Sequence, residues 1–136
     1  MIEGLAHVCI GANDLAATER FYCSGLGFAK LFDFVRDGET VGFYLKVAEN
    51  SYIEVFRQDE VDADAKSPIR HLCFQVAGVD EVSRHLASHG YEVTEKKLGA
   101  DQSWQAWTAD PSGVRIEFHQ YTAQSSQVTG KNCVLD

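Results

Sequence analysis

A chain of 136 residues and 15.1 kDa is one domain's worth, long enough to bury about two thirds of the surface its unfolded form exposes, so stability needs no staple. Hydrophobic residues at 45% and charged residues at 24% exclude the disordered and fibrous classes, and a net charge of −8 with no Lys or Arg cluster argues against a nucleic-acid partner. Cysteines 9, 23, 73 and 133 lack C-x-x-C spacing, no apolar run spans a bilayer, and Met1 to Gly4 leads straight into a strand pattern, so free thiols in the cytoplasm are expected.

Gly4 to Ile10 reads as a strand with Leu5, His7 and Cys9 on one face. Asn13 or Asp14 caps a helix running through Arg20 to about Ser24, with Leu15, Ala17, Phe21 and Tyr22 as apolar contacts and Gly25 and Gly27 ending it. Phe28 to Val35 alternates as a strand, Asp37-Gly38 signals a hairpin, Thr40 to Val47 returns, and Glu49-Asn50 turns into Ser51 to Phe56.

Residues 59–67 are acidic and aperiodic and read as a linker. The order then restarts with a strand over Ile69 to Val76 and a helix capped by Asp80, bearing Val82, Leu86 and His89 and stopped by Gly90. Strands are expected over Tyr91 to Lys97, Ser103 to Ala109 and Val114 to Tyr121, the last two joined by the turn Asp110-Pro111-Ser112-Gly113. Residues 122–136 form a polar tail, expected to be partly disordered or wrapped on the surface.

The chain writes one phrase twice. His7-Val8-Cys9-Ile10 returns as His71-Leu72-Cys73-Phe74, Gly27-Phe28 returns as Gly90-Tyr91, and each copy closes on Ile-Glu, at Ile53-Glu54 and Ile116-Glu117. His to Glu is 47 residues in the first copy and 46 in the second, which implies a duplicated unit, repeats of about 3–58 and 68–121 built around one shared site. Each of the four residues is expected mid-strand, where a carboxylate flanked by apolar neighbours needs a partner or a metal. Two imidazoles and two carboxylates suit a divalent ion such as Ni, Co, Mn, Fe or Zn.

This wording resembles the vicinal oxygen chelate superfamily, the glyoxalase, bleomycin resistance and extradiol dioxygenase group, and within it bacterial glyoxalase I (lactoylglutathione lyase). Arg20-Phe21-Tyr22, Leu26-Gly27-Phe28 and Asp110-Pro111-Ser112-Gly113-Val114-Arg115-Ile116-Glu117 carry the resemblance across residues 4 to 121. It implies an α+β fold: two tandem βαβββ modules forming a cupped mixed sheet, one domain over residues 1–136. It also implies metal ligation by His7, Glu54, His71 and Glu117, and lyase or isomerase chemistry through a chelated enediolate on a small carbonyl or hemithioacetal. Glu117 is then the general base, with Glu54 the symmetric alternative. The alternatives are an epimerase, hydrolase or dioxygenase of the same superfamily, or a metal-free drug-binding protein.

One departure bears on the substrate. No Arg or Lys lies within Val8 to Asn13 to meet the carboxylates of glutathione, so glutathione is not the expected co-substrate. Segment 98–105, richer in neutral polar and aromatic groups than an anion-binding loop, points instead to a hydroxylated or carbonyl substrate, with Gln102, Trp104 and, from the last strand, His119 as its contacts. Trp104 and Trp107 must face opposite ways on their strand. Cys9 and Cys73 read as small apolar fillers and His85 and His89 as one helix face. Sheet edges and cup rims left open lead to a homodimer.

Overall fold

The computed structural model describes residues 1, 3–60 and 67–135. It divides into two units, Met1–Lys66 with Asp110–Val114, and Ser67–Ala109 with Arg115–Asp136. Residues 61–66 of the expected linker lie outside the described residues.

The first unit contains β1 (His7–Ala12), α1 (Leu15–Glu19) continued by a π-helical turn (Arg20–Gly25), β2 (Ala29–Arg36), β3 (Glu39–Ala48) and β4 (Ser51–Arg57). Asp14 is the N-cap, its carboxylate accepting from Ala17 N at 2.9 Å. The strands form one sheet in the order β1-β4-β3-β2, with β1 parallel to β4 and the other pairs antiparallel. Asp37 and Gly38 both have positive φ, 51° and 80°, as a two-residue hairpin matched to strand twist requires. Alternation sends Ile10, Phe43, Leu45, Ile53 and Val55 into a core with Phe21 and Tyr22, and leaves Cys9, Tyr44 and Glu54 on the other face. The turn Asp110–Val114 belongs with this unit: Tyr22 Oη donates to Asp110 Oδ2 at 2.9 Å, and Ser112 Oγ to Asn13 Oδ1 at 3.0 Å. Burial, followed by the negative charge of Asp110 and their hydrogen bond, pushes the Tyr22 phenol far above its usual range.

The second unit contains β5 (Leu72–Gln75), α2 (Val79–Ser88), β6 (Lys97–Leu98), β7 (Trp104–Ala109), β8 (Arg115–Gln120) and α3 (Ser126–Thr129). Its sheet repeats the first, in the order β5-β8-β7-β6, with β5 parallel to β8. The α+β architecture of two tandem four-stranded mixed sheets is as expected.

Three local expectations are corrected and one alternative is decided. The strand expected over Tyr91 to Lys97 shrinks to Lys97–Leu98: one ladder bond remains, Thr94 N to Trp107 O at 2.9 Å, but Trp107 N turns to Thr94 Oγ1 at 2.9 Å and Glu92 O accepts from Thr108 Oγ1 at 2.7 Å. Asp80 is not the cap of α2; Gly78 is, and Gln120 Oε1 accepts from Val79 N at 3.0 Å. His7 opens β1 and His71 immediately precedes β5, so neither is mid-strand, whereas Glu54 and Glu117 are. Of the two expectations for the tail, the wrapped one describes it through residue 129: Ser125 Oγ accepts from Thr122 N and Ser103 Oγ, and Gln127 Nε2 donates to Asp101 Oδ2.

Candidate functional site

In the first unit, parallel pairing sets Cys9 beside Glu54, and antiparallel pairing sets Tyr44 across from Glu54. His7 turns Nε2 toward Glu54 Oε2 at 3.9 Å and Nδ1 toward the Tyr44 hydroxyl at 3.3 Å. An Nδ1–H donated to that oxygen leaves the Nε2 lone pair for a cation, the arrangement metal-binding histidines use. Around this pair lies an aromatic surface. Phe32 stacks on Tyr44 with centroids 4.9 Å apart, Phe34 on Phe56 at 4.5 Å, and Tyr44 on Tyr52 at 5.5 Å. Phe34 and Phe56 close over Gly42, where any Cβ would strike the Val55 carbonyl and the Phe56 ring, so this position must be glycine. Burial, then the hydrogen bond to Glu54 and its charge, push the Cys9 thiol up.

The second unit repeats the device with different flanks. Cys73 pairs beside Glu117 and Trp107 lies across from it. His71 Nε2 is 3.1 Å from Glu117 Oε2, and the His71 ring meets Trp107 edge-on at 4.8 Å. The other carboxylate oxygen, Oε1, is 3.0 Å from His119 Nε2, so both oxygens of Glu117 face an imidazole. Asp101 Oδ2 stands 4.0 Å from the same His119 nitrogen. Burial would raise the Asp101 carboxyl, but bonds from Gln127 and Ser103, together with the charge of His119, outweigh it and hold Asp101 below the usual range. Burial, then the charge of Glu117, its hydrogen bond and the charge of Asp101, push the Cys73 thiol up to about 12.

Each expected His–Glu pair is thus brought together inside its own unit, and His119 joins the second. Two expected substrate contacts stand elsewhere. Trp104 pairs with Gln120 on the opposite face of β7 from Trp107, under Lys96 at 4.9 Å. Gln102 is exposed and turns its amide back to Ala100 O, while its own carbonyl accepts from Thr122 Oγ1. The sequence reading missed Tyr44, placed Trp107 second to Trp104, and missed Asp101. A signal for the first two existed: each is an aromatic residue ten positions before its Glu.

Comparison with known proteins settles the family. The Glyoxalase/Bleomycin resistance protein/Dioxygenase superfamily profile matches residues 4–118. The chain belongs to this superfamily. It is 26% identical over 125 residues to YaeR of Escherichia coli K12, covering 88% of this chain and 97% of that one. A glyoxalase family protein of Enterococcus faecalis superposes with a TM-score of 0.74 at 28% identity, covering 86% of this chain and 97% of that one. Two more distant structures share the fold. Lactoylglutathione lyase of Agrobacterium tumefaciens gives 0.67 at 23% identity, over 88% and 94% of the two chains, and fosfomycin resistance protein FosX of Listeria monocytogenes gives 0.71 at 19%, over 90% and 96%. Among the described residues, no helix is long and apolar enough to cross a membrane.

Proposed function

We propose that the protein is a divalent-metal-dependent lyase or isomerase of the glyoxalase type, with His7, Glu54, His71 and Glu117 as the ligands of one ion, drawn from one chain or from two copies in a homodimer. The observation that supports this most is the repetition of the whole device. Each unit offers an Nε2 and a carboxylate, backed by an aromatic residue and a Cys at the same register. Such nitrogen and oxygen donors fit Ni, Co, Mn, Fe or Zn, and an ion held there supplies Lewis-acid polarisation of neighbouring substrate oxygens. A fourth protein ligand argues against an iron oxygenase, which works with three.

The chain's own residues then move the proton. Glu117 takes it from the carbon beside a carbonyl and returns it to the neighbouring carbon, which lowers the barrier by positioned acid–base catalysis. His119 stands 3.0 Å from one Glu117 oxygen and orients it, and the other oxygen lies 3.1 Å from His71, its fellow ligand. The rings of Phe32, Phe34, Tyr44 and Phe56 favour a substrate with apolar surface over the doubly carboxylated glutathione.

Metal analysis of the purified protein, joined to a screen with methylglyoxal and several thiols, tests this reading. About one divalent ion per chain and turnover of a carbonyl or hemithioacetal are expected. Metal-free protein that binds small molecules without turning any over would sink it and leave the drug-binding reading. Light scattering at micromolar protein should return a dimer.

A further inference from the structure

The second unit carries more donor atoms than the duplicated plan requires. Cys73 Sγ, a Glu117 oxygen and a His119 ring nitrogen lie within 4.8 Å of one another, on two adjacent strands of one sheet. We propose that these three residues form a second, thiolate-containing set of ligands, with which this unit alone holds a soft or borderline divalent ion of the zinc class, without His7 or Glu54.

The geometry is close to what such an ion demands. Bonds of about 2.0–2.2 Å to nitrogen and oxygen in a tetrahedron give an N···O edge of about 3.3–3.6 Å. His119 Nε2 and Glu117 Oε1 stand 3.0 Å apart. The backbone fixes all three donors on one face, because Cys73 pairs with Glu117 and His119 follows two residues later on the same strand. Asp101 adds negative charge at the same nitrogen, 4.0 Å away, and cannot easily swing off, since Gln127 Nε2 and Ser103 N hold its two oxygens at 2.7 and 3.1 Å.

The first unit supplies an internal control. It has Cys9 beside Glu54 at the equivalent register, but Phe56 where the second has His119. Duplication alone therefore does not account for the imidazole. Thiolate donors select zinc, cadmium and cobalt, whereas an all-nitrogen-and-oxygen set also takes manganese and other harder ions. Glu117 is common to both sets, so one ion is held at a time and its softness decides which residues hold it. On binding, the Cys73 S–H bond breaks, the sulfur electron pair goes to the metal and the proton goes to solvent.

Cobalt(II) is the probe, because a thiolate ligand gives it an intense near-ultraviolet charge-transfer band. The variant His7→Ala/Glu54→Ala should still bind one cobalt per chain and show that band. Adding Cys73→Ser should abolish the band, and adding His119→Phe, the residue the first unit carries at this place, should weaken binding by about tenfold or more. If the double variant melts early, His7→Phe/Glu54→Leu, which fills the same space with side chains that cannot coordinate, serves as the background with the same readings. Cobalt bound without a thiolate band, or no cobalt bound by a folded variant, overturns the proposal. Loss of manganese on His7→Ala alone bears only on the four-ligand set, so the two readings fail separately.

Discussion

The two half-sites share a His, a Cys and a Glu and differ at the flanks of the Glu, and the difference separates holding a carboxylate from merely presenting one. On β4 the sequence around the acid is Tyr52-Ile53-Glu54-Val55-Phe56; on β8 it is Arg115-Ile116-Glu117-Phe118-His119. In the second, Arg115 lies over the Trp107 ring at 4.8 Å and His119 meets the free oxygen of the acid. In the first, two further aromatic rings take those places. Glu117 is accordingly engaged by two imidazoles with its side chain 9% exposed, and Glu54 by one, at 3.9 Å, with its side chain 22% exposed. A duplicated scaffold can thus keep its ligand pair while its flanks diverge toward polar work in one copy and apolar binding in the other.

The largest effect should come from testing the acids against each other. Glu117→Gln keeps shape and a coordinating oxygen, so metal should stay while turnover on the substrate found by the screen falls by at least about a hundredfold. Glu54→Gln should cost less. A fully metallated Glu117→Gln protein with near-normal turnover would reject Glu117 as the base and move the role to Glu54.

Removing the imidazoles tests whether the halves act as equals. His7→Ala and His71→Ala should each weaken manganese or nickel binding, by on the order of tenfold to a hundredfold, since each leaves opposed carboxylates unneutralised. Elemental analysis after dialysis measures this. Full occupancy in either variant removes that His from the ligand set.

Thiol chemistry gives a subtler comparison. In metal-free protein the Cys73 thiol is held protonated up to about 12, against an ordinary value of 9.0. Its contribution to stability is therefore present below pH 9 and lost as pH rises from 9 to 12. Alkylation of Cys73 by iodoacetamide at pH 8 should be much slower than that of free cysteine, and Glu117→Gln should speed it. Equal rates in the two proteins would show that the acid does not control the thiol. The smallest and most pointed change is Phe56→His, which gives the first unit the flank of the second. A cobalt–thiolate band that survives Cys73→Ser in this variant is the expected result.

The order of elements along the chain, the Asp37-Gly38 hairpin, a helix cap at Asn13 or Asp14 and the four repeated residues were legible because each leaves a local or periodic mark. What escaped was decided by partners distant in sequence. Asp80 looks like a cap, but Gln120, 41 residues away from Val79, takes the backbone N–H at the helix start. Tyr91 to Lys96 alternates like a strand, yet beyond the single backbone bond from Thr94 N to Trp107 O, hydroxyls of Thr94 and Thr108 take the backbone groups that a ladder would pair. The role of Asp101 depends on Gln127 and Ser103, which no spacing rule links to His119. Trp104 was preferred to Trp107 for want of the register, which one pairing, Trp107 with Glu117, decides.

The hydrogen bond from Tyr22 to Asp110 spans 88 residues of chain, and its consequence is one of timing. As the protein leaves the ribosome, Met1 to Lys66 is complete long before the turn Asp110–Val114, the remaining piece of the same unit, has been made. At roughly 5–20 residues per second the 44 residues from position 66 to position 110 take about 2–9 s to synthesise. Through that interval the Tyr22 hydroxyl, fully buried in the finished fold, lacks the Asp110 carboxylate that accepts from it there. The first unit therefore reaches its final form only after most of the second has been translated, and a nascent chain stalled between the repeats displays an unfinished first half rather than a small folded protein.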